Sequence, residues 1–139
     1  MFIEGSIPNK FLEATISASL AGTGAQTHFI GRVRPDEIED SEVALIEFTA
    51  QKDIADQTSQ EIIDESKTKF GILTAEVWHS LGKVASGEAC FLVTVNGKHR
   101  KESFEALEYI VNEIKNRCPI FGKEILKNGT GKWKENLNE

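Results

Sequence analysis

The spacing of apolar residues changes several times along the chain, and each change marks an element. Phe2 and Ile3 read as a short first strand. Pro8-Asn9 opens a helix with Asn9 as its N-cap, running to about Leu20, and Ala21-Gly22-Thr23-Gly24 breaks it. Gln26 to Val33 reads as a strand that stops at Arg34-Pro35, because proline has no N–H for a ladder. Pro35 to Glu42 carries five acids in eight residues and reads as a solvated, mobile loop. Glu42 to Ala50 alternates, with Val43 and Leu45 on one face and Ala44, Ile46 and Phe48 on the other. Asp53 to Phe70 reads as a helix closed by Gly71. Strands follow at Ile72 to Ser80 and Glu88 to Val95, with residues 82–87 turning between them.

Lys101 to Arg117 is the clearest helix. Phe104, Leu107, Ile110, Val111 and Ile114 form one apolar stripe, and Pro119 ends it. The stretch from Phe121 to Trp133 mixes apolar and basic residues, and Asn136 to Glu139 is expected to fray. The order is roughly β-α-β-β-α-β-β-α-tail, which predicts an α+β fold with a mixed or antiparallel sheet and about three helices. With 139 residues the chain is expected to be one domain, residues 1–139, with a single core and no staples.

Composition narrows the class. The chain is 40% hydrophobic and 27% charged, as an ordinary globular protein is. The longest apolar run, Ala89 to Val95, is too short to span a membrane, and Met1 to Lys10 does not read as a signal peptide, so a cytoplasmic protein without a membrane partner is expected. Cys90 and Cys118 are not spaced as a metal knuckle or a redox pair. Cys90 lies in the apolar run and reads as a buried small hydrophobe. Cys118, beside several cations, leaves two readings open: a packed thiol or one of lowered pKa. The net charge of −6 argues against nucleic acid. It hides a split. Residues 1–97 hold seven basic and fifteen acidic side chains, net −8, and residues 98–139 hold nine and seven, net +2. That reversal fits a small anionic ligand near the C-terminal third, or a lysine-solvated terminal helix.

Most chemical motifs are absent. Gly22-Thr23-Gly24 follows a helix rather than a strand and has no lysine partner, which excludes a nucleotide loop. His28, His79 and His99 have no metal-ligand spacing, so neither a metal nor another cofactor is expected, and His79, alternating with Val77, reads as structural. There is no nucleophile elbow. The segment Asn96-Gly97-Lys98-His99-Arg100-Lys101 differs. It joins a buried strand to a helix N-terminus, where the dipole opposes clustered cations and an anion would relieve the conflict. Lys115 stands near the other end of that helix, about 16 residues and roughly 24 Å from His99. If both ends serve one small-molecule site, two subunits must share it, which predicts a symmetric dimer.

These segments, in their order and spacing, resemble the large, catalytic subunit of molybdopterin synthase over most of the chain. Phe29-Ile30-Gly31-Arg32-Val33-Arg34 resembles the family's F-x-G-x-V-R, and Ala44-Leu45 with Glu47 resembles its next strand. His79 to Val84 with Gly87-Glu88 resembles H-x-x-G-x-L-x-x-G-E, and His99-Arg100 with Ser103 to Ala106 resembles H-R-x-x-A-F-E-A. Ile114-Lys115, then Pro119 to Phe121 and Lys123-Glu124, resembles L-K-x-x-x-P-I-W-K-K-E, and Lys132-Trp133 resembles a closing basic-Trp pair.

The resemblance implies an α/β hammerhead-like fold and sulfur transfer to a cyclic pyranopterin monophosphate, an anion. The sulfur would come from the C-terminal Gly-Gly thiocarboxylate of a small ubiquitin-like subunit. It implies a homodimer at the core of a heterotetramer, with sites lying across the dimer. It further implies that Arg34, His99 and Arg100 bind anionic groups, with Phe29 and Lys132 in the binding set, and that Lys115 and Lys123 carry the chemistry. One departure matters. The family's second active-site lysine falls at Gly122. Lys123 takes its role, Lys115 suffices alone, or activity is weakened and the chain only binds the carrier or pterin. An unrelated phosphometabolite-binding domain is the remaining reading.

Overall fold

The computed structural model describes residues 1–134, so the expected fraying at 136–139 lies outside the described residues. Eight strands form one sheet: β1 (Phe2–Glu4), β2 (Ala25–Arg32), β3 (Glu37–Ile38), β4 (Ser41–Ala50), β5 (Thr74–Ala85), β6 (Ala89–Gly97), β7 (Ile120–Leu126) and β8 (Gly131–Trp133). Three helices, α1 (Asn9–Ser17), α2 (Lys52–Phe70) and α3 (Arg100–Arg117), pack on it. The α+β class and the helix number match the expectation. The main path runs β2-β6-β5-β4-β7-β8, all antiparallel, while β1 adds parallel to β5 and β3 pairs with β4.

Strand β6 explains the unbroken apolar run. Phe91, Val93 and Val95 face the main core beneath α2 and α3, while Ala89 and Leu92 face a second cluster with Ile7 and Leu12 of α1. A strand covered on both faces needs no polar alternation.

Strand β5 holds the sheet together. Thr74 to His79 pairs with β6, and Gly82 to Ala85 pairs with β4. The predicted turn at residues 82–87 is therefore too early. The strand kinks at Gly82, where φ is +77° and a Cβ would lie 2.6 Å from Glu4 Oε1. Glycine takes that conformation without steric cost, so the strand bends and continues.

Other boundaries moved for local reasons. Pro8, with an extended backbone, caps α1, Asn9 is its first residue, and the helix ends at Ser17 rather than near Leu20. The acidic segment is not a mobile loop but a tight hairpin of β3 and β4. Its turn residues Glu39 and Asp40 have φ of 50° and 62°, the pattern of a two-residue I′ turn. Arg34 pairs with Asp36 and Lys127 with Glu42, each at 3.4 Å, which relieves part of the acidic repulsion. In β4 a bulge between Val43 and Leu45 breaks the predicted alternation, so Val43, Ile46 and Phe48 are all buried. The stretch from Phe121 to Trp133, expected as a tail, supplies all of β8 and, after Ile120, the rest of β7.

Helix α3 buries Ser103, Ala106, Ile110, Val111 and Ile114. Phe104, counted in the predicted stripe, is 62% exposed. Ser103 takes the inward place because its hydroxyl donates to Ala25 O and His99 O, both at 3.0 Å. Ile110→Ala should therefore cost about 2–5 kcal/mol in urea unfolding. Phe104→Ala, measured where the chain is monomeric, should change stability by less than about 1 kcal/mol.

Candidate active site

A cavity of about 120 Å³ opens where the ends of several elements converge. Strand β2 and the residue after it supply Gly31, Arg32 and Val33; β4 supplies Ile46 and Phe48; β5 supplies His79; β6 supplies Cys90 and Phe91. Ile114, Lys115 and Cys118 come from the C-terminal end of α3, Ile120 and Gly122 from β7, and Lys134 from just beyond β8. The cations Arg32, Lys115 and Lys134 line it, and among the described residues no Asp or Glu does. A largely apolar wall with these three cations suits an anion.

His79 sits deep in this wall. Its Nδ1–H donates to Ser80 O at 2.8 Å, which leaves Nε2 as an acceptor. Phe48 meets the ring edge-on at 4.9 Å and Phe91 lies at 5.3 Å. Burial drives its pKa down to about 4; the Ser80 carbonyl opposes this and the Lys115 charge adds to it. His79 is thus neutral at pH 7, and it belongs to the cavity wall as well as to the fold. Both thiols are buried, and burial pushes each up to about 11. For Cys118 the cations beside it do not overcome burial, so the packed-thiol reading holds.

The expected site residues separate into groups. Lys115 lies at the cavity. Phe29 stacks edge-on against the cavity residue Phe91, with ring centres 5.6 Å apart. Arg34 lies just past β2, exposed and paired with Asp36. Lys123 is not in the lining; its ammonium lies 5.8 Å from the Trp133 ring centre, next to Glu47 in the strand register. Lys132 is exposed on β8 opposite Glu124.

His99 and Arg100 begin α3, at the far end from Lys115. His99 is 80% exposed at its side chain and pairs with Glu102 at 3.2 Å, while its N–H donates to the Glu102 carboxylate. Glu102 therefore relieves part of the conflict between cations and dipole that the sequence poses. Beside them a shallow concavity is lined by Lys69, Phe70, His99, Lys101, Glu102 and Glu105.

Sequence reasoning missed Arg32 and Lys134. Alternation from Gly31 selects Phe29 and Val33 rather than Arg32, where the strand register shifts; for Lys134 the available signal was its place beside Trp133. Among the described residues no group of His, Cys, Asp or Glu is placed to hold a metal ion.

An α+β domain with a cation-lined cavity at the end of a long helix has the charge and shape to suit small anions, and comparison assigns it to a family. The MoaE protein family profile matches residues 8–117, and the chain belongs to that family. A protein of Thermoplasma volcanium named molybdopterin synthase catalytic subunit is 39% identical over 110 residues, spanning 79% of this chain and 80% of that one. One of the same name from Pyrococcus abyssi is 36% identical, spanning 84% of this chain and 78% of that one. The crystal structure of molybdopterin synthase from Staphylococcus aureus superposes with a TM-score of 0.84 at 26% identity, covering 96% and 95% of the two chains.

The low pKa of His79 has a thermodynamic consequence. The unfolded ring, near 6.5, binds its proton before the folded one does, so stability falls as pH drops from about 6.5 to about 4. A shift of that size is worth roughly 3 kcal/mol. Urea unfolding at pH 7 and pH 4 should show the parent losing about 2–3 kcal/mol more than His79→Gln over that interval.

Proposed function

We propose that this chain is the catalytic subunit of a molybdopterin synthase. It would move sulfur from the C-terminal thiocarboxylate of a small ubiquitin-like partner onto a cyclic pyranopterin monophosphate. The observation that carries this reading is Lys115, set in a largely apolar cavity that Arg32 and Lys134 also line. Thiocarboxylate and cyclic phosphate are both anions, and bringing them together requires positive charge that water does not screen.

The reaction needs no redox partner. The thiocarboxylate sulfur attacks a side-chain carbon of the pterin and forms a C–S bond. Water then hydrolyses the acyl–sulfur bond and returns the partner as an ordinary carboxylate. The C–O bond from that carbon to the cyclic phosphate breaks, and the oxygen stays on the resulting phosphate monoester and takes a proton. A second thiocarboxylate adds its sulfur at the neighbouring oxygen-bearing carbon, that oxygen leaves as water, and hydrolysis of the second acyl–sulfur bond completes the dithiolene. Lys115 serves as proton donor and as the cation that stabilises developing negative charge. The glycine tail of the carrier suits a narrow entry because it has no side chains.

His99 and Arg100 stand some 16 residues from Lys115, roughly 24 Å along a straight helix. A second copy of the chain would bring its own His99 and Arg100 to this Lys115, so the working unit is a homodimer with a small subunit on each copy. The cytoplasm suits such an enzyme: both thiols are free and buried, and no described helix is long and apolar enough to cross a membrane. Gly122, which puts no side chain into the cavity wall, favours a second reading in which the chain binds carrier or pterin without turnover.

The test is turnover. Parent protein mixed with thiocarboxylated partner and the cyclic pterin should yield molybdopterin, read as its fluorescent oxidation product. Lys115→Ala should lower the rate at least 100-fold while circular dichroism stays unchanged. An inactive parent with an active partner would overturn the enzymatic reading, and a normal rate in Lys115→Ala would overturn the role of that lysine.

A further inference from the structure

We propose that Lys134, opposite Gly122 on the neighbouring strand, is a second substrate-holding cation of the Lys115 cavity. The inference rests on the functional reading above, and it names a residue that reading does not supply.

Strand register is the first ground. Lys123 pairs with Trp133 and Glu124 with Lys132, so the next step of the antiparallel ladder sets Gly122 opposite Lys134. The Lys134 N–H donates to Gly122 O at 2.7 Å, which fixes that step. On its other side Gly122 pairs with Phe48 of β4. Phe48, Gly122 and Lys134 thus lie abreast, and residues directly opposite one another share a face. That face is the cavity face: a Cβ on Gly122 would lie 3.0 Å from Ile46 Cγ2 and 3.2 Å from Phe48 Cε1, both lining atoms. Even a Cβ would press on both, so glycine keeps this part of the wall free of a side chain, and the cation of this row comes from Lys134.

Electrostatics is the second ground. Lys115 and Lys134 both line one cavity, and two like charges on one wall favour an anion placed between them. Arg32, the third cation of the lining, already donates to Gly87 O at 3.0 Å. The Cys90 thiol records both ammonium groups: burial pushes it up, while the charges of Lys134 and then Lys115 oppose the rise. Lys123 is one residue out of phase, on the opposite face, with its ammonium by Trp133. The position where the family resemblance implies a lysine is therefore served from the neighbouring strand.

Two readouts test this, and they fail separately. Placement is read from the pH profile of Cys90 alkylation by iodoacetamide in the Cys118→Ser background. Lys134→Ala should move that profile to higher pH, and Lys127→Ala, which removes a cation paired with Glu42, should leave it in place. An unmoved profile in Lys134→Ala overturns the inference whatever the enzyme does. Function is read from steady-state turnover. Lys134→Ala should raise KM for the cyclic pterin about tenfold or more, the loss of one charge-assisted contact, and Lys134→Arg should recover most of it. An active parent with an unchanged KM in Lys134→Ala also overturns the inference. An inactive parent overturns the functional reading instead, and the alkylation profile then decides the placement of Lys134 alone.

Discussion

Helix α3 is a rigid rod with a cationic group at each end, and the rest of the molecule is arranged around that constraint. Its N-terminal turn is fixed by the Ser103 hydroxyl, which reaches Ala25 O of β2, and by Glu102, which closes over the His99 N–H. Its last turn is fixed by Arg117, whose guanidinium grips both oxygens of Glu65 on α2 at 2.7 and 3.0 Å. That contact, with a further bond from Tyr109, holds the Glu65 carboxyl below the usual carboxylate range. Between the ends, Ala106, Ile110 and Ile114 are buried in the core. A helix held this way cannot bend to bring His99 and Lys115 together. One chain therefore carries two cationic groups that face different places, and the proposed site takes one from each of two copies.

The sheet decides what surrounds the Lys115 half. Because β5 kinks at Gly82, it pairs first with β6 and then with β4, and strand ends from both parts of the sheet meet at the helix C-terminus. The cavity they enclose takes apolar walls from β4 and β6 and positive charge from α3, β2 and the segment after β8. The excess of acid in the first 97 residues stays out of the lining, and two of the three lining cations come from the basic C-terminal third. The charge reversal along the chain is thus reflected in the cavity, and it gives the proposed anion site local positive charge in a protein of net charge −6.

Much of this was legible in the sequence, and the rest was hidden for identifiable reasons. Long periodic segments gave the three helices, and the glycine and proline stops placed most boundaries. The inverted phase of β4 was not legible, because a bulge between Val43 and Leu45 leaves no periodic trace. The Glu39-Asp40 turn was missed because acids replace the glycine or asparagine that marks a I′ hairpin. Phe104 was assigned to the core since hydrophobicity alone outranks serine, yet Ser103 has the backbone acceptors that make its burial affordable. For the site, Lys115, His99 and Arg100 stood out because they sit at helix ends, where distance follows from residue count. Lys134 did not, because its place depends on which strand lies beside Gly122, and pairing across a sheet is not written in local sequence.

The central claim is that one working site is built from two chains, and mixing two inactive variants tests it most directly. Arg100→Ala and Lys115→Ala chains, each inactive alone, should regain about a quarter of parent turnover when mixed equally and allowed to exchange, since half the dimers are hybrids and each hybrid keeps one intact site. No recovery, with subunit exchange verified by mass, would contradict the shared site.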